Sequence, residues 1–239
     1  MKPFCLGLLF FFITQTSIAE LYNYPTYNSA KKVNFGVKIG LNSALPSIHS
    51  FTIDGNPVEN KETEYKINKI ISVFARFNFE HFFIKPNLTW NQTESNIKGF
   101  YSERAISTEN PRTNLIVNLK YHSFDAPLLI GYPIIKQGPY QLNLMAGPCI
   151  KCYYGNQLED ITNEFSTCVT DNNTTKWGLN LWTGINVSIH KIFFDFSYEY
   201  GITSFRPNFI SETSASDSQH LVKLNMNELF MNFSVGFMF

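Results

Sequence analysis

Asn227 to Phe239 reads N-E-L-F-M-N-F-S-V-G-F-M-F. Leu229, Met231, Phe233, Val235, Phe237 and Phe239 fall on one face; Asn232, Ser234 and Gly236 fall on the other, diluted by Phe230 and Met238. Alternation with period two is the mark of a β-strand with two unlike faces. A chain end is normally frayed and polar, but this stretch stays apolar up to a final aromatic. The closing strand of a membrane barrel fits such a pattern, because its outer face meets lipid and its inner face does not.

Working outward, the same alternation recurs. Val33 to Asn42 (V-N-F-G-V-K-I-G-L-N) alternates without a fault over ten residues. Lys69 to Phe79 and Phe82 to Asn91 are separated only by Glu80-His81, a link short enough to predict an antiparallel hairpin. Pro86 inside the second of these lacks a ladder donor, so a local bulge is expected there. Asn114 to Tyr132 changes parity: Leu115, Val117, Leu119 and Tyr121 are followed by Phe124, Ala126, Leu128, Ile130 and Tyr132. That change predicts a β-bulge near His122 to Asp125. Tyr140 to Lys151, Lys176 to Val187 and Ile192 to Gly201 complete the set.

The links then follow a rule. Ser43 to Asn68, Gln92 to Thr113, Cys152 to Thr175 and Ile202 to Met226 are long and polar; the links between them are short. With both ends of the barrel chain on the periplasmic side, every short link is periplasmic and every long one extracellular, the layout of outer-membrane barrels. The expected fold is therefore all-β: an eight-stranded antiparallel up-and-down transmembrane β-barrel over residues 33–239. Strands of about ten tilted residues are long enough to cross the hydrocarbon. Trp90, Tyr132, Tyr140, Trp177, Tyr200 and Phe239 are placed for the interfacial girdles. A soluble lipocalin-like ligand binder is the competing reading, with the apolar face turned inward. Against it stand the link asymmetry and the charges on the polar face: Lys38, Arg76, Lys85, Lys176, Asp195 and Glu199. These are expected to form a lumen charge network, since buried charges persist only when paired.

Composition agrees. Of 239 residues 16% are charged and 16% aromatic, with zero formal net charge, which leaves no basic field for nucleic acid. The N-terminus carries Lys2, an apolar run from Phe4 to Ile13, and Ser17-Ile18-Ala19, predicting a signal peptide over residues 1–19 cut ahead of Glu20, then a lead segment to residue 32. An N-terminal anchor is the alternative, for which the apolar run is short. Export means an oxidising compartment. Cys149, Cys152 and Cys168 remain after cleavage; a loop-closing Cys152–Cys168 disulfide and three reduced thiols are both open.

At this level the chain resembles the PorT-like outer-membrane β-barrel proteins of Bacteroidetes-type bacteria. The resemblance rests on F-G-V-K-I-G-L-N (Phe35 to Asn42), F-A-R-F-N-F-E-H-F-F-I-K-P-N-L (Phe74 to Leu88), F-D-A-P-L-L-I-G-Y (Phe124 to Tyr132), F-D-F-S-Y-E-Y-G (Phe194 to Gly201) and the final F-S-V-G-F-M-F. The family's fourth-strand proline corresponds to Pro127, with Asp125 a loose match to the acidic residue ahead of it. One member acts in protein secretion, so the resemblance implies an envelope or secretion protein as partner. By resemblance to outer-membrane barrels at large, Phe233, Val235, Phe237 and Phe239 are the signal read by the barrel-assembly machinery, and the outward rows meet outer-membrane lipids.

Chemistry is sparse. His122-Ser123, with Asp125 as orienting acid, is the one hint of a lipid-modifying hydrolase, yet neighbours on a strand point to opposite faces. The remaining histidines show no metal spacing, and there is no nucleotide fingerprint. No catalytic residue, metal or cofactor is expected. Eight strands leave an interior wide enough only for side chains, which argues against a channel. The expected role is a non-enzymatic outer-membrane barrel with long extracellular loops, serving envelope structure, surface binding or a secretion assembly.

Overall fold

The computed structural model describes residues 32–101, 113–137, 139–160, 168–170, 176–212 and 219–239. The expected signal peptide and nearly all of the expected lead segment lie outside the described residues. The strands are β1 (Val33–Ala44), β2 (Ser47–Ile53), β3 (Asn56–Pro57), β4 (Glu59–Glu64), β5 (Ile67–Asn78), β6 (Phe83–Tyr101) and β7 (Thr113–Gln137). They continue as β8 (Tyr140–Asp160), β9 (Cys168–Thr170), β10 (Trp177–Ile189), β11 (Ile192–Gly201), β12 (Asn208–Glu212), β13 (Gln219–Asn227) and β14 (Leu229–Met238). All pairings are antiparallel, and β1-β5-β6-β7-β8-β10-β11-β14 close into a ring of eight. Closure is made by β14 on β1, from Gly36 opposite Met238 to Ala44 opposite Phe230. No edge is left in the ring, so every strand finds its ladder partner inside the protein, as lipid requires.

The ring is inverted relative to a soluble barrel. Outward rows are apolar and exposed, with Ile39 at 63% and Phe196 at 59%, while Lys38, Asn42, Ser72, Asn186 and Ser234 are buried inside. This overturns the lipocalin-like alternative: exposed rows of Phe, Ile, Leu and Val are stable only against hydrocarbon. Trp90, Tyr154 and Trp177 mark one rim, and Tyr132, Tyr140 and Phe239 the other. Trp90 donates from Nε1 to the Tyr154 hydroxyl at 2.7 Å, and the His122 ring stacks between them. Amphipathic rings of this kind suit a membrane boundary.

Beyond that rim the described residues of the long links are largely strand, which corrects the expectation of simple polar loops there. β6, β7 and β8 run far past the lipid-facing rows, and β4, β9, β12, β13, β2 and β3 extend the sheet around them. The Asp54-Gly55 turn joins β2 to β3 with both residues at positive φ (50° and 82°), as a tight hairpin of this handedness demands. Inside this extension lies an apolar core, including Phe51, Ile97, Leu119, Phe205, Phe209 and Leu224. Polarity therefore flips along the axis: apolar outside and polar inside within the lipid-facing span, the reverse above it.

That flip explains the parity change in β7, and the expected bulge near His122 to Asp125 is not there. Odd-numbered residues point inward without a break from Leu115 to Gly131. The apolar set changes parity because the surroundings invert, not because the strand slips. The extra residue sits instead on the facing strand: Lys120 pairs with Gln157 and His122 with Tyr154, leaving a bulge at Gly155, whose φ of 63° suits glycine. Pro86 is also unbulged, since Phe74 opposite Asn87 and Phe77 opposite Ile84 keep one register across it. The ladder between them is simply interrupted.

Candidate functional site

Two places concentrate polar chemistry or accessible surface: the lumen and the extension. Buried charges among the described residues are Lys38, Arg76, Lys85, Lys151, Asp125, Asp195, Glu199 and Glu228, four of each sign. They form two groups. Towards the short-turn end, Lys38 and Lys85 both reach Asp195 Oδ2, at 3.1 and 3.2 Å, and Asn186 donates to Oδ1 at 2.6 Å. Arg76 lies over the Phe83 ring at 3.7 Å and donates from Nε to Asn78 at 2.8 Å. Lys85 also faces the Phe74 and Phe193 rings. Stacked cations of this kind gain from the ring quadrupole where water is scarce.

Towards the extension, Lys151 is fully buried. Its Nζ lies 3.1 Å from Glu199, 3.5 Å from Glu228 and 3.6 Å from Asp125, with no well-directed hydrogen bond to any of them. The ammonium is thus held as a point charge by three carboxylates, and by the Phe230 ring at 3.9 Å. Asn180 donates to Glu199 at 2.6 Å. Glu228, between β13 and β14, also accepts from the Tyr121 and Tyr153 hydroxyls at 2.5 and 2.6 Å. Those two rings belong to the apolar core above, where both pack on Phe205. Tyr121 and Tyr153 are the joint between lumen and extension, with apolar bodies in one and hydroxyls in the other.

The groups carry opposite excess charge, three cations to one carboxylate below and one to three above, and the lumen as a whole is balanced. Between them lies a cavity of about 20 Å³, lined by Lys38, Asn91, Asp125, Cys149 and Glu199 among others. That is room for about one water molecule. Side chains fill the lumen, and the geometry has the character of a structural ion network.

Of the expected network, Lys38, Arg76, Lys85, Asp195 and Glu199 are in the lumen. Lys176 is not: it is exposed, just ahead of β10, at the rim. Lys151, Asp125 and Glu228 complete the network. Lys151 stood on the polar face of its predicted strand, and only the proximity of three carboxylates from β7, β11 and the β13–β14 join gives it a role. The disulfide expectation is corrected as well. Cys152 carries a free thiol, and the Cys168 backbone stands opposite Leu158, six residues further along β8. At about 3.3 Å per residue the separation is roughly 20 Å, far beyond disulfide reach of about 7 Å. Cys149 is a free, buried thiol pointing into the lumen.

His122 and Ser123 are not brought together. Ser123 is buried inside the barrel, whereas His122 sits outside between Trp90 and Tyr154. The hydrolase alternative loses its dyad. Phe233, Phe237 and Phe239 face outward and are exposed, and Val235 shares their row. On the extension, a groove of about 540 Å³ is lined by Lys61, Glu62, Lys98, Phe100 and Ile116, among others. Nearby, Lys98 pairs with Glu64.

Comparison with known proteins accords with this geometry. The fold resembles OprG from Pseudomonas aeruginosa with a TM-score of 0.54 at 13% identity, covering 87% of this chain and 97% of that one. The outer membrane protease OmpT from Escherichia coli gives 0.49 at 7% identity, covering 86% and 97%. Neisserial surface protein A gives 0.40 at 13%, covering 87% and 99%. At such identity the likeness to OprG is one of fold alone. Curated proteins gave no match. Residues 19–206 match the profile described as Outer membrane protein beta-barrel domain, a stretch that contains seven of the ring's eight strands. The chain belongs to the outer membrane protein beta-barrel domain family.

Proposed function

We propose that this protein is a surface-binding barrel of the outer membrane, in which the sealed lumen is an anchor and the extracellular extension carries the activity. The observation that supports this most directly is the polarity flip. The chain builds a second apolar core above the rim, from Phe51 to Met226, with no need of it for spanning the membrane. An ordered projection of that size gives a rigid surface on which a partner docks, with the groove beside Phe100 and Ile116 as a concave face on it. The partner is an envelope or secretion-assembly protein, in keeping with the PorT-like resemblance. Outer-membrane lipids cover the outward rows, and the barrel-assembly machinery reads Phe233, Val235, Phe237 and Phe239. Export depends on cleavage ahead of Glu20.

Crosslinking in intact cells, followed by purification and mass spectrometry, tests this reading. A defined envelope protein should be recovered with the parent and lost with Phe100→Ser plus Ile116→Ser. That variant should still migrate faster unheated than boiled, since it leaves the ring intact. Recovery of the barrel alone, or of the same partner with both proteins, would overturn the proposal. Reproducible conductance in a planar bilayer would favour a channel instead.

A further inference from the structure

The ring is not uniformly zipped. Along β8–β10, β10–β11, β11–β14, β14–β1 and β1–β5 the pairing runs without a gap through the lipid-facing span. The other three interfaces each lose two consecutive pairs. Between β5 and β6 the ladder lapses at Ala75 and Arg76 against Lys85 and Pro86. Between β6 and β7 it lapses at Asn87 and Leu88 against Ala126 and Pro127. Between β7 and β8 it lapses at Leu128 and Leu129 against Gly147 and Pro148.

Each gap contains one proline, and each gap is offset by two residues from the next on the strand they share. The chemistry is the same three times: proline has no N–H to give, so the facing carbonyl loses its donor. Prolines in a closed sheet have no edge to retreat to, and here they are gathered on three adjoining strands. Asn87, beside Pro86, is buried with neither amide atom partnered, and Pro127 and Cys149 line the lumen cavity directly behind. The strands that flank the gaps, β6, β7 and β8, are also the longest, at 19, 25 and 21 residues, and they carry the extension.

We propose that Pro86, Pro127 and Pro148 form a diagonal seam of weakened pairing across β5–β8, at which the barrel wall opens locally while the fully zipped β10–β11–β14–β1 half stays closed. Opening there breaks fewer ladder bonds than opening elsewhere in the wall, because two pairs at each of the three interfaces are already missing.

Hydrogen exchange read by mass spectrometry on the full-length barrel in lipid nanodiscs tests the seam. Amides in residues 85–88, 126–129 and 146–149 should exchange at least tenfold faster than those in the lipid-facing span of β1, β10, β11 and β14. Restoring a donor with Pro86→Val, Pro127→Val and Pro148→Val, singly and together, should bring the nearest segment towards the protection of the zipped half. Equal protection of both halves in the parent would overturn the proposal, and so would variants that fold but exchange as the parent does. Should the triple variant not fold, the single variants and the parent comparison still decide it.

Discussion

Lys151→Met gives the sharpest test of the lumen. The side chain is fully buried, and the substitution removes the charge while keeping much of its bulk. At an effective dielectric of about 20, each charge pair at 3–3.6 Å attracts by about 5 kcal/mol. Mutual repulsion of the carboxylates and the desolvation of Lys151 take back most of that. Removing one partner from a buried ion group typically costs about 3–5 kcal/mol, because the remaining charges stay uncompensated. At about 1.4 kcal/mol per tenfold, the unfolding equilibrium should shift by roughly two to three and a half decades. Reversible urea unfolding in lipid vesicles, followed by Trp fluorescence and gel mobility, reads the shift directly. Adding Glu228→Gln to Lys151→Met should recover about 1–3 kcal/mol, as one of three unbalanced carboxylates is neutralised. A loss below about 1 kcal/mol for Lys151→Met, which is the range of a solvated surface pair, would refute a buried network centred on this residue.

Phe196→Arg places a cation against lipid and should cost about 2–4 kcal/mol in the same vesicle assay, whereas Leu221→Arg, outward on the extension, should fall within about 0.5 kcal/mol; equal costs would contradict the polarity flip. Gly155→Val, at φ 63° on the β8 bulge, should destabilise by about 1–2 kcal/mol, measured as a lower urea midpoint. The Glu64 carboxyl is held below its ordinary 4.5 by the hydrogen bond from Lys98, so its contribution is present above that value and lost as pH falls through the lowered one. Lys120 is held above its ordinary 10.5 by its hydrogen bond to Glu159, so its contribution is complete below 10.5 and lost as pH rises beyond it. Exchange rates in β4 and β7 of the extension, corrected for intrinsic chemistry, should therefore be flat between pH 6 and 9 and rise towards either extreme.

Strand alternation, short turns and the ring itself were legible in the sequence because side chains in a strand alternate by geometry and lipid sorts the two faces. Val33 to Asn42 and Leu229 to Phe239 needed no partner to declare their faces. Glu80-His81 announced its turn through its length. The same rule misled at β7, where Leu119 and Phe124 look like a slipped strand. Parity reports which residues are apolar, and only the surroundings say whether apolar means inside or outside. Tertiary structure alone decided that β7 is straight there and that the bulge lies on β8 at Gly155. It also decided the partners of Lys151, because Asp125, Glu199 and Glu228 come from distant strands whose stagger around the ring fixes their height. Period two tells a residue which way to face; the stagger of a closed ring decides whom it meets.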